Sequence, residues 1–206
     1  MMFRTGLICA CLVGLSACVA TPSGPAGFVS GDRQLPQAQL DLRQNAAALD
    51  ARFHEAGWVA EAHGAAVQRL TGMLMFGRGN SDRPTPVEVY YEAAGLNDAG
   101  PDMIIETARR DLAEASTLTY NLARDGETVA EAGGLTANSL SDDLGALEYA
   151  LTDVRQALAL FRTINDSGDG QLDAAIGSLE LASERLGNAA DGLMSRRREL
   201  RNATGS

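Results

Sequence analysis

Residues 139–161 read SLSDDLGALEYALTDVRQALALF, and Leu140, Leu144, Leu147, Leu151, Val154, Leu158 and Phe161 recur in them at alternating intervals of four and three. That spacing lays apolar side chains along one stripe of an α-helix. It is also the heptad seam of helices that pack almost side by side. Ser139 stands where a helix begins, with Asp142 and Asp143 in the turn that the positive end of the helix dipole favours. The stretch predicts a helix over about 139–164, at the centre of a core.

Working outward, the same spacing returns three times. Leu172, Ile176, Leu179, Ser183, Leu186, Ala190, Leu193 and Leu200 predict a helix over about 170–200. Upstream, Ile105, Ala108, Leu112, Ala115, Thr119, Leu122 and Val129 predict one over about 101–131, opened by Pro101 and ended by Gly133-Gly134. The first run, Leu42, Ala46, Leu49, Phe53, Ala56, Ala60, His63, Val67, Leu70 and Leu74, predicts a helix over about 37–76, with Gly57, Gly64 and Gly72 as places where it can bend. Thr85-Pro86-Val87-Glu88 is a capping box with proline at the first helical position, so a short helix is expected over about 86–95. Four long amphipathic segments joined by Gly, Asn, Asp and Pro breaks predict an all-α antiparallel four-helix bundle over 36–202, followed by a tail, 203–206. Alanines outnumber aromatics, so the helices are expected to approach closely and leave no roomy pocket.

The N-terminus carries a different signal. Met1-Met2-Phe3-Arg4 is a short positive region, and Gly6 to Leu15 is an apolar stretch too short to span a bilayer, which together read as a signal peptide. It closes with Leu15-Ser16-Ala17-Cys18, which resembles the lipobox of bacterial lipoproteins. The resemblance implies cleavage of residues 1–17 between Ala17 and Cys18, a diacylglyceryl group on the Cys18 sulfur and an acyl chain on the new N-terminus. It also implies an envelope location, and Val19, standing where an aspartate retains such proteins in the inner membrane, implies the outer membrane on its periplasmic side. Residues 18–35, rich in Pro and Gly, read as a lipidated flexible tether. Cys9 and Cys11 leave with the signal peptide, which excludes disulfide, thiol and cysteine–metal chemistry from the folded body.

Charge excludes more. Seventeen basic residues, all arginine, face 27 acidic ones, for a net charge of −10. Nucleic acid is not an expected partner of such a chain. Without lysine there is no Walker A motif, Schiff base or Ser-Lys dyad. The one basic cluster, Arg196, Arg197, Arg198 and Arg201, suits a helix C-terminus and is the candidate contact for anionic lipid or an acidic partner.

Asn165-Asp166-Ser167-Gly168-Asp169-Gly170 resembles an EF-hand loop but lacks the acidic first and last ligands, since Asn165 and Ile176 occupy those places. Asp166, Asp169 and Asp173 are the oxygen donors for a hard cation there. A helix–helix turn with Asp169 near the next N-terminus accounts for the same residues. His54 and His63, nine residues apart, fall on opposite faces of one helix, so they cannot share an ion; His63 lies on the seam and is expected to be buried, His54 with Glu55 solvated. Met73 and Met75 fit core filling better than a copper(I) site. No catalytic residue and no cofactor other than the lipid on Cys18 is expected. The sequence therefore points to a membrane-anchored, non-enzymatic structural or interaction module, bound to the membrane through Cys18 and to an envelope protein or a second copy of itself. A binding protein holding a metal or small apolar ligand between helices near His63 is the alternative, and an enzyme a distant third.

Overall fold

Among the described residues, five helices account for the regular structure: α1 (Gln37–Glu55), α2 (Pro86–Ala93), α3 (Pro101–Glu131), α4 (Ser139–Ser167) and α5 (Asp173–Thr204). They come from a computed structural model that describes residues 36–59 and 84–204, and among these residues there is no strand. The segment 1–17 with Ala17, Cys18, the tether 18–35, His63, Met73 and Met75 lie outside the described residues. No helix among the described residues is long and apolar enough to cross a membrane.

Local chemistry sets most boundaries where the sequence places them. Thr85 accepts a hydrogen bond from the Glu88 backbone N–H while Glu88 accepts one from the Thr85 N–H, closing the expected capping box ahead of Pro86. At the start of α4, the Thr136 and Ser139 hydroxyls each accept from the other residue's backbone N–H at 3.2 Å. α4 runs on to Ser167, three residues beyond the expected 164. α5 opens at Asp173 instead of 170 and continues to Thr204, taking in two residues of the expected tail.

One boundary differs from expectation. The first helix, expected over about 37–76, ends at Glu55, and residues 60–76 of that span lie outside the described residues. Gly57 has φ of 70°, its N–H bonds back to the His54 carbonyl at 3.1 Å, and the Trp58 N–H reaches the Phe53 carbonyl at 3.0 Å. This is the Schellman pair of bonds that satisfies the last carbonyls of a helix, and it needs a left-handed residue that glycine adopts without strain. The hydrophobic contact that accompanies it is an edge-to-face pairing of Phe53 and Trp58, ring centroids 5.0 Å apart. A second such turn, with Gly95 at φ 67° and Leu96 buried, closes α2.

Cross-helix pairings fix the directions. Arg52 meets Glu114 and Asn45 meets Asp125, so α1 and α3 are antiparallel. α4 is antiparallel to α5, since Arg162 pairs with Glu180 while Met194 and Arg198 lie beside Ser141 and Glu148. Gln39 and Arg43 meet Asp143, and Asp50 lies beside Asp153, so α1 runs parallel to α4. Thr117 lies beside Ser178 and Gly126 beside Ala189, which makes α3 parallel to α5. The long helices thus alternate in direction along the chain, as an antiparallel bundle requires. In space they go round as α1, α3, α5, α4, with α3 and α4 across the diagonal.

The four seams converge. Leu140, Leu144, Leu147, Leu151, Val154, Leu158 and Phe161 are all buried, as are Ile105 through Val129 of the α3 run and Leu42, Ala46, Leu49 and Phe53 of α1. On α5, Ala182 is buried while Ser183 is half-buried, and Leu200 is packed at the edge. The most extensive interface is between α3 and α5, and small residues make it: Ala115, Ala123 and Gly126 opposite Ala182, Ala189 and Ala190. A methyl group at Gly126 would stand 2.9 Å from Leu147 Cδ1 and 3.1 Å from Ala189 Cβ. Three helices therefore meet at that one backbone.

Glycine substitutions separate these roles. Gly57→Ala must hold a left-handed φ and place its Cβ 2.9 Å from that of Ala93, which is expected to cost about 1–3 kcal/mol. Gly145→Ala, exposed within α4 with open space around it, is expected to stabilise by about 0.5–1 kcal/mol. Urea unfolding of the two variants checks both signs.

Candidate functional site

Three carboxylates carried by the seam helices sit inside this core, of which the sequence marks only Asp143, as an acid at a helix start and not as a buried one: Asp111, Asp143 and Asp153 are 6%, 0% and 2% exposed. A buried charge is tolerated only when it is paired or hydrogen-bonded. Asp111 of α3 accepts from the Tyr90 hydroxyl at 3.0 Å and the Trp58 indole N–H at 3.4 Å, with Arg110 at 3.3 Å on its outer oxygen. Phe53, Trp58, Tyr90 and Phe161 form an aromatic cluster against it, with successive centroids 5.0–6.2 Å apart. Burial first, then the Asp111 charge and hydrogen bond, hold the Tyr90 hydroxyl protonated far above its ordinary range.

Asp143 accepts from the buried Gln39 amide and from Arg43 Nε at 2.6 Å, while Arg43 also reaches the Ser139 carbonyl at 3.2 Å and Asp142 at 3.5 Å. This network ties the first turns of α1 to the start of α4. Further along the same pair, Asp50 and His54 of α1 and Asp153 of α4 each offer a ligand atom, and these atoms all lie within 4.8 Å of one another. His54 Nε2 stands 3.2 Å from Asp50 Oδ1, and the imidazole is 31% exposed. His54 is half-buried where the sequence predicts it solvated, because α4 packs along the face of α1 that carries it, while Glu55 is exposed as expected. Tyr149 lies near the same carboxylates, and its hydroxyl is pushed above its usual range, by desolvation and then by Asp153 and Asp50.

The other predicted residues are placed as follows. Asp166 and Asp169 are exposed, Asp169 with φ of 54°. Asp173 accepts from the Asn165 amide at 2.6 Å, and the Asn165 carbonyl oxygen accepts from the Leu172 N–H at 2.7 Å. These bonds brace a helix–helix turn, and the loop carboxylates do not come together as a three-ligand group. The only such group among the described residues is Asp50, His54 and Asp153.

The arginine cluster is divided. Arg197, Arg198 and Arg201 line a groove of about 440 Å³ with Leu144, Glu148 and Met194, whereas Arg196 pairs with Glu199 at 2.9 Å. The groove lies at the end of the bundle where α4 begins. Pro36, the first described residue, is at that end too, because Gln39 and Arg43 pack on Asp143 and Ser139. On the far side of α5, Arg185 pairs bidentately with Glu127 at 2.8 and 2.7 Å and stacks 4.2 Å from the Tyr120 ring, beside the exposed Leu181. Hydrogen bonds from Arg185 hold the Glu127 carboxyl below its usual range, and those from Arg52 do the same for Glu114.

No protein-family model, no curated protein and no solved structure matches the chain.

The Asp111 cluster has a pH signature. Because the folded state holds the Tyr90 proton longer than the unfolded chain does, its contribution is complete below pH about 10 and is lost as the pH rises past that value. With no lysine in the chain, tyrosines dominate titration there. Unfolding free energy is expected to fall by about 1.4 kcal/mol per pH unit for each such tyrosine above pH about 10. Tyr90→Phe should remove about one proton from that slope while costing about 1–3 kcal/mol at pH 7, since Asp111 loses a donor. Urea titrations of the two proteins at pH 7 and at a series of pH values above about 10 measure this.

Proposed function

We propose that the chain is a cell-envelope lipoprotein anchored through Cys18, whose helical bundle acts as a non-enzymatic docking module with its arginine-lined end turned toward the bilayer. The observation that carries this reading is the shared location of Pro36 and the Arg197, Arg198 and Arg201 groove. A chain tethered from residue 18 reaches its first helix at the end that bears the basic groove. A tether over 18–35 permits that end to touch lipid headgroups, where each arginine contributes about 1 kcal/mol on an anionic surface. Two or more acyl chains supply the durable part of the attachment, at about 0.8 kcal/mol per buried methylene. The Tyr120, Leu181 and Arg185 face points sideways from the bundle and suits an envelope protein or a second copy.

Fractionation of a bacterial host tests the anchor. Wild type is expected with the membranes, carrying lipid on Cys18 by mass spectrometry, and Cys18→Ser in the soluble fraction; an unmodified Cys18 sulfur would sink the reading. On vesicles containing anionic lipid, glutamine at Arg197, Arg198 and Arg201 should weaken binding about fivefold per residue, with no change on neutral vesicles. Crosslinking in intact cells should recover one reproducible partner or a dimer, and a clean monomer would exclude the docking role.

A further inference from the structure

We propose that Asp50, His54 and Asp153 form a binding site for one divalent transition-metal ion of the zinc class, held between α1 and α4. Asp50 and His54 are four residues apart, so α1 presents both on one face, and α4 supplies Asp153 from the adjoining helix. Four-coordinate zinc, with bonds of about 2.0–2.1 Å, separates its donors by about 3.4 Å. The 3.2 Å spacing of His54 Nε2 and Asp50 Oδ1 already matches one edge of that tetrahedron. The third donor lies within 4.8 Å of both, a gap that small side-chain rotations close.

Charge and burial point the same way. Two carboxylates drawn together across a helix interface, one of them in the interior, repel each other, and a cation between them relieves that repulsion. Asp50 Oδ1 is shielded from solvent, and its close polar neighbour is His54 Nε2 at 3.2 Å, a second donor atom of the same group. A dication would neutralise the pair. A single imidazole beside two carboxylates selects a borderline ion over calcium or magnesium, which take oxygen donors alone. The partial exposure of Asp50 and His54 gives the ion a path from solvent, and three protein donors leave a fourth position for water. The proposal does not depend on lipidation or on a partner, and its alternative is a metal-free ion pair of His54 with the two carboxylates.

The test uses the full chain, stripped of metal with a chelator and titrated with zinc, calcium and cobalt(II). Zinc is expected to raise the melting temperature, calcium to leave it unchanged, and cobalt(II) to give the visible absorption of a low-coordinate nitrogen- and oxygen-bound ion. His54→Ala, a helix-compatible change at a half-exposed position, should abolish the zinc shift and weaken zinc binding by at least the about 10- to 100-fold that loss of even an outer-shell partner causes. Asp153→Asn should do the same, and His63→Ala should leave the response intact. A wild type that ignores zinc, or a zinc shift that survives in His54→Ala, overturns the proposal; if Asp153→Asn fails to fold, His54→Ala alone decides.

Discussion

The carboxylate of Asp111 sets a condition that the rest of the bundle has to meet. It sits on the buried face of α3, and its inner oxygen takes its donors from two other segments, the Trp58 indole and the Tyr90 hydroxyl. A charge in that position without partners would cost several kcal/mol. The core can therefore close only with the turn after α1 and the short helix α2 already docked. The Schellman turn at Gly57 delivers Trp58, the capping box at Thr85 fixes where α2 starts, and Phe53 and Phe161 then fill the space around the two donor rings. A helix of only eight residues is held here by the satisfaction of one acid together with the burial of one tyrosine.

The apolar framework was legible because burial follows the 3/4 spacing almost residue for residue on α3 and α4. The end of α1 was not, because two signals competed at Gly57. The apolar run continues through Ala60, Val67 and Leu74 at the correct intervals, which reads as an unbroken seam, while the left-handed glycine and the following tryptophan form a stop that depends on tertiary contacts with Phe53 and α2. The spacing rule counts apolar residues and has no penalty for a glycine that caps a helix.

The buried acids escaped for a related reason. Asp111, Asp143 and Asp153 each sit one position from a seam residue, Leu112, Leu144 and Val154. A helix in a bundle touches neighbours on two sides, so the buried arc is wider than the seam and takes in flanking positions. Which flank is buried depends on how the helices are arranged in space. Here α3 and α4 lie across the diagonal although they are consecutive in the chain, an arrangement that helix periods do not encode. The same geometry brings His54 beside Asp153: rotation about α1 separates it correctly from the seam, but only the placement of α4 gives it company. The arginine cluster was recognisable as a patch, and its division, with Arg196 turned to Glu199, follows from the helical phase of α5.

α1 is bound differently from the other long helices. It packs on α3 and α4 and makes no extensive contact with α5, and polar ties hold it toward its two ends. Gln39 and Arg43 grip Asp143 near Pro36, Arg52 forks onto Glu114, and Asp50 and His54 face Asp153 near the Gly57 turn. Hydrogen-bonded pairs that are wholly or partly buried resist separation more strongly than exposed ones, because pulling them apart leaves an acid in the interior without its donors. In the proposed anchoring, tension on the N-terminal segment meets Gln39, Arg43 and Asp143 first, and Asp143 is the most deeply buried acid of the bundle. The polar network thus stands where a tethered helix would otherwise begin to peel, and the apolar seam of Leu42, Ala46, Leu49 and Phe53 stays covered behind it.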